Sequence, residues 1–159
     1  MNARIVTRQV AALLLLVAGF ALAACGGNTV RGEAPLAQTS GWRLDDGDLF
    51  LALRLRNVND EPLVVRDLAL DIALGDEPVN VRHRSSPGVE IAPGGFETLN
   101  LRLGRDEAVA ARFARLAAGE VASLPYALSG TVGTAQSGAL AVRLESRIYP
   151  VPGRTGEFR

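Results

Sequence analysis

The chain has no lysine: its seventeen basic residues are all arginines, among 159 residues in total. This reads as genome composition before function. It has one cysteine, Cys25, and one histidine, His83. A lone cysteine excludes an intramolecular disulfide. His83 lies between Arg82 and Arg84, and two flanking cations oppose a bound metal ion. A catalytic dyad would also need a nucleophile and an orienting acid beside it, so a structural or surface role fits better. No glycine-rich phosphate loop, zinc-ligand spacing or nucleophile elbow occurs, and no repeat of 20 to 50 residues is evident. With Arg4 and Arg8 set aside, fifteen arginines stand against seventeen interspersed acids, a net of −2. That excludes the basic patch on a basic domain that nucleic-acid binding requires.

What is present begins with an export signal. Arg4 and Arg8 precede an uncharged run from Gln9 to Ala24, 16 residues long, short of the ~20 needed to span a bilayer. The run ends in Leu22-Ala23-Ala24-Cys25, which resembles the lipobox of bacterial lipoproteins. The alternative is a soluble export signal ending in Ala-x-Ala. The resemblance implies a diacylglyceryl group on the Cys25 sulfur, cleavage just before it and a further acyl chain, such as palmitate, on the new amino terminus. Each buried methylene contributes ~0.8 kcal/mol, so two or three chains anchor stably. Gly26 stands where an inner-membrane retention signal would be aspartate, so the expected location is the outer membrane, facing the periplasm.

These signals divide the chain into a signal peptide at 1–24, a lipidated cysteine and flexible tether at 25–40, a domain at 41–149 and an extended tail at 150–159. Residues 26–40 are small, polar and aperiodic, with a random-coil reach of roughly 20 Å. In the tail, Pro150 and Pro152 favour an extended path, and Phe158 is expected to stand exposed on a free end.

From Trp42 the period is two, the mark of strands. Leu49, Leu51, Leu53 and Leu55 share one face, with Arg54 and Arg56 on the other. Leu68, Leu70, Ile72 and Leu74 form a second dry face backed by Asp67 and Asp71, and pairing of these two segments would set arginines against aspartates. Val79 and Val81, then Val89 and Ile91, then Leu99, Leu101 and Leu103 continue the pattern. Tyr126, Leu128 and Val132 form a strand expected to be broken or bent near Gly130, and Leu140, Val142 and Leu144 form another. About seven short strands with regular turns predict an all-β, immunoglobulin- or fibronectin-III-like antiparallel β-sandwich. Within it, Ala108 to Ala118 carries Val109, Phe113 and Leu116 at helical spacing, after Asp106-Glu107 and before Gly119. The single short helix should cover one open end. Trp42 and Tyr149 are expected to cap the ends of the sandwich.

Asn57-Val58-Asn59 after the first leucine strand reads as a corner rather than a ligand site, because asparagine tolerates left-handed angles and can satisfy stranded backbone groups. Pro62 follows, with no amide hydrogen for a ladder. Asp45-Asp46-Gly47-Asp48 offers oxygen ligands but lacks the alternation and distal glutamate of a calcium loop. It reads as a hairpin turn. Asp76-Glu77 falls in a turn and Asp106-Glu107 at a helix start, where acids need no catalytic role.

Four segments in order resemble the group 2 late embryogenesis abundant proteins, also described as the WHy (water stress and hypersensitive response) domain: Leu51 to Asn59, Leu68 to Gly75, Ile91-Ala92-Pro93-Gly94-Gly95, and Tyr126 to Val132. Val58 departs from the family's proline. The resemblance covers about residues 42 to 147. It implies a folded sandwich, no cofactor, no catalytic residues and a role in desiccation or related stress. The expectation is a non-enzymatic, monomeric protein on the membrane through acylated Cys25, with client or partner proteins and no nucleic acid. The rival expectation is a specific interaction subunit of an envelope assembly or transport complex, motivated by the tail.

Overall fold

The computed structural model describes residues 31–159. Cys25 and the signal segment lie outside the described residues. Nine strands and one helix follow in order: β1 (Leu36–Asp45), β2 (Asp48–Arg56), β3 (Leu63–Leu74), β4 (Val79–Ser85), β5 (Val89–Ile91), β6 (Phe96–Arg105), α1 (Glu107–Ala117), β7 (Leu124–Thr134), β8 (Gly138–Ile148) and β9 (Glu157–Phe158). One sheet has the order β6-β2-β1-β9, and the other β4-β3-β7-β8 with β5 also on β3. All pairings are antiparallel. The fold is an all-β sandwich.

The period-two residues build its core. Leu51, Leu53 and Leu55 on β2 and Ile72 and Leu74 on β3 are wholly buried, and each such leucine contributes about 1.5–3 kcal/mol by leaving water. Among the described residues the hydrophobic core cluster runs from Trp42 to Phe158. Thr39 and Tyr126 join the two sheets through their hydroxyls at 2.6 Å.

Several expectations change. The two leucine-rich strands do not pair: β2 and β3 lie in opposite sheets. Both dry faces need cover at once, and only facing sheets supply it. Asp71 meets Arg82 of β4 instead, at 3.2 Å. The strand at Tyr126 does not break, since β7 runs unbroken from Leu124 to Thr134. Gly130 is there because a Cβ would collide with the Ala69 carbonyl oxygen across the ladder, a close backbone approach.

The ends of the domain also extend beyond their expected bounds. β1 starts at Leu36, inside the segment read as tether, and Glu33 is tied to Asn59 in both directions, N–H to Oδ1 at 2.9 Å and Nδ2 to carbonyl at 3.0 Å. The tail is not free. Tyr149 and Arg159 exchange backbone hydrogen bonds at 2.7 and 2.9 Å, β9 pairs with Trp42 and Arg43, and Phe158 is 3 % exposed. Its ring meets Phe113 edge-on at 4.8 Å. Burial of one aromatic ring outweighs the ordering of a proline-stiffened loop that has little entropy to lose.

The helix forms where its signals place it. Asp106 caps it, accepting the Val109 N–H at 3.0 Å, and Gly119 at φ +75° lets the amides of 119 and 120 bond back to the carbonyls of Leu116 and Arg115, a Schellman stop. Val109, Phe113 and Leu116 are buried, and Arg112 donates to the Glu77 carbonyl in the β3–β4 turn, so α1 closes one end of the sandwich. Trp42 lies inside that end, edge-on to Tyr126 at 5.2 Å. Tyr149 caps nothing: it is 46 % exposed, because its backbone, and not its ring, is what the tail holds.

Candidate functional site

The acids that the sequence singles out lie at turns and at the helix start, and the histidine lies on a strand. At the β1–β2 hairpin, Asp46 at φ +47° and Gly47 at φ +80° make a tight turn of the kind asparagine, aspartate and glycine favour. Its carboxylates face arginines: Arg43 to Asp45 at 3.0 Å, Arg102 to Asp48 at 2.7 Å and Arg105 to Asp46 at 3.3 Å. One oxygen of each carboxylate is paired with a guanidinium, which opposes a calcium ion there. Asp76 and Glu77 lie in the β3–β4 turn and Asp106 is a helix cap.

His83 sits on edge strand β4 with its Nε2 at 3.1 Å from Ser85 Oγ. Burial lowers its pKa below the ordinary imidazole value of 6.5, while a bond with the Arg102 backbone offsets part of that. It pairs with Leu70, so no acid stands across the ladder to orient it as a base. Among the described residues no group of three or more histidine, cysteine, aspartate or glutamate side chains is placed to hold a metal ion.

The corner is a polar knot. Asn57 is fully buried and Asn59 is 5 % exposed. Asn57 Nδ2 donates to the carbonyls of Glu61 at 2.8 Å and Ile91 at 3.0 Å, and its backbone N–H donates to Gly95 at 2.9 Å. Neither asparagine adopts positive φ, since Asp46 is the one non-glycine residue that does among those described. The corner is therefore made by side-chain hydrogen bonds and not by a left-handed backbone.

The described surface carries two open grooves and one outer sheet face with stacked arginines. An open groove of about 660 Å³ on the five-stranded sheet is bordered by Arg66, Asp67, Arg84 and Thr131. A second, of about 470 Å³, runs between β1–β2 and the tail, past Phe50, Arg154 and Phe158. The outer face of the four-stranded sheet carries Arg43 over Phe50, at 4.5 Å from the ring centre, and Arg54 over Phe96, at 3.5 Å. Phe96 carries no signal in its own strand's dry face, and Leu36 falls in the segment expected to be tether. The signal was parity: Phe50 and Phe96 occupy even positions where the odd ones point inward.

No family model matches the chain, and no curated protein does. Solved structures do. The solution structure of AT1g01470 from Arabidopsis thaliana has a TM-score of 0.51 at 7 % identity, covering 80 % of this chain and 87 % of that one. The solution structure of At2g46140.1, named as a late embryogenesis abundant (LEA) protein, has a TM-score of 0.45 at 12 % identity and covers 94 % and 88 %. A crystal structure of a protein from Archaeoglobus fulgidus has a TM-score of 0.41 at 18 % identity and covers 75 % and 97 %. This chain, then, shares the fold of the AT1g01470 protein, and its sequence motifs resemble those of the group 2 late embryogenesis abundant proteins.

Proposed function

We infer that the protein is a lipid-anchored β-sandwich of the cell envelope that protects proteins or membrane surface during dehydration, by transient contact and without catalysis. The observation that supports this reading is where the four resembling segments fall. Leu51 to Asn59 ends in the buried asparagine knot, and Leu68 to Gly75 is a core strand and its turn. Residues 91–95 receive the knot's hydrogen bonds, and Tyr126 to Val132 carries the inter-sheet hydroxyl bridge and the close approach at Gly130. The family motifs are thus the joints of the fold and not a reactive site, as suits a scaffold that acts through its surface. Acylated Cys25 would hold that surface where it is needed.

The test is a drying and rehydration assay on a labile enzyme, with purified residues 26–159 against an unrelated immunoglobulin-like domain at equal mass. Retained activity well above the control is expected. Protection no better than the control overturns the protective role. The tail lends no support to a specific-partner reading, since Phe158, its one candidate anchor, is buried in the protein's own core.

A further inference from the structure

Among the described residues three large apolar side chains stand exposed: Leu36 at 54 %, Phe96 at 55 % and Tyr149 at 46 %. Two of them share one row. The pairing of β1 with β2 sets Leu36 opposite Arg56, and that of β2 with β6 sets Phe96 opposite Arg56 from the other side. In the next outward row Gln38 and Thr98 flank Arg54, whose guanidinium lies 3.5 Å from the centre of the Phe96 ring. No acid occupies either row. The aspartates of this face, Asp45 and Asp48, stand at its far end, each against an arginine.

The patch lies at the end where the chain enters the fold. Arg31 is paired with Glu61 at 2.9 Å, Glu33 is bonded to Asn59, and β1 begins at Leu36. Cys25 precedes Arg31 by six residues, a span of at most ~20 Å when fully extended.

We propose that Leu36, Arg54, Arg56 and Phe96 form a membrane-docking surface whose occupant is the anionic phospholipid layer that holds Cys25. Guanidiniums fork onto phosphate oxygens, and an aromatic ring and a leucine beside them enter the zone between headgroups and acyl chains. Arg54 stacked on Phe96 delivers both chemistries from one point. Two apolar side chains do not supply the ~1,000 Å² that a stable protein interface needs, but a lipid anchor removes most of the association cost, so a small patch suffices to orient an already tethered domain. The location of this patch next to the bilayer rests on acylation of Cys25; its affinity for lipid does not.

The experiment is co-sedimentation of residues 26–159, free of any acyl chain, with vesicles of phosphatidylglycerol and, separately, of phosphatidylcholine. Binding to phosphatidylglycerol that weakens with salt is expected. Arg54→Glu with Arg56→Glu should reduce it about 25-fold or more, given roughly five-fold per basic residue at an anionic surface. Leu36→Ser with Phe96→Ser should lower it on both compositions. All four side chains are at least partly exposed, so the melting temperature should hold, and Tyr149→Ser should leave binding as it was. Equal weak binding to both vesicle types, or binding unchanged in the variants, overturns the proposal. So does a dimer of the unaltered protein, in sedimentation velocity, that the serine variant dissolves, because the patch would then belong to a second copy. Mass spectrometry of the protein extracted from cell membranes tests Cys25 separately: an unmodified thiol with vesicle binding intact would remove the anchor and leave the patch standing.

Discussion

Asn57 and Asn59 hold each other across one residue: the Asn57 Oδ1 accepts both the Asn59 backbone N–H at 2.9 Å and the Asn59 side-chain amide at 3.1 Å. The same Asn57 donates to Glu61 and Ile91, so one side chain satisfies groups of its own corner and of the distant segment at Ile91.

Asn57→Ala removes donors and acceptor together and strands buried partners. Each unsatisfied group costs about 1–3 kcal/mol, so a loss of about 3 kcal/mol is expected. Urea unfolding should give a lower midpoint with an unchanged slope.

Gly130→Ala and Gly133→Ala should separate sharply. A Cβ at 130 would collide with the Ala69 carbonyl oxygen, whereas one at 133 comes within 3.1 Å of the Asp67 Cβ, a contact that a shift of a few tenths of an ångström relieves. We expect Gly130→Ala to cost about 3 kcal/mol or prevent folding and Gly133→Ala to cost about 1 kcal/mol or less. Thermal melts of the two variants side by side check the order.

Phe158→Ala opens a cavity beside Phe113 and Trp42. Truncation of a buried phenylalanine costs about 3–5 kcal/mol, and deletion of 157–159 should cost at least as much. A free tail would leave the melting temperature where it was, so a scan of either variant decides between docked and free.

Stability should rise with pH as it climbs toward about 6.5 because of His83. Its folded pKa lies below the unfolded value of 6.5, so in the window between them the unfolded chain binds more protons. The contribution is fully present above the unfolded value and is lost as pH falls through the folded one. Denaturation at a series of pH values from 5 to 8 should show that slope, and His83→Gln should flatten it; a slope of opposite sign contradicts the burial.

Much of the fold was legible because a strand's side chains alternate. Leu49 to Leu55 and Leu68 to Leu74 announced their dry faces, and Asp106 with Gly119 announced both ends of a helix. The candidate surface was harder to read. Leu36 lies in a composition typical of linkers, and its strand exists because Arg56 and its neighbours on β2 offer a ladder edge. Phe158 has only two residues of strand around it, too few for any period to mark.

The sequence by itself determined the central strands, which of their faces are dry, where the helix starts and stops, and that Asn57 and Asn59 turn a corner. These are local matters of side-chain period and of groups within a few residues of one another. The tertiary structure alone decided that β2 and β3 face each other across the core instead of pairing, that the tail folds back to bury Phe158, and that Leu36, Arg56 and Phe96 fall in one row. A strand's period says which side must be covered but not by what. The partner follows from which long-range arrangement buries all the dry faces together, and no single segment contains that information.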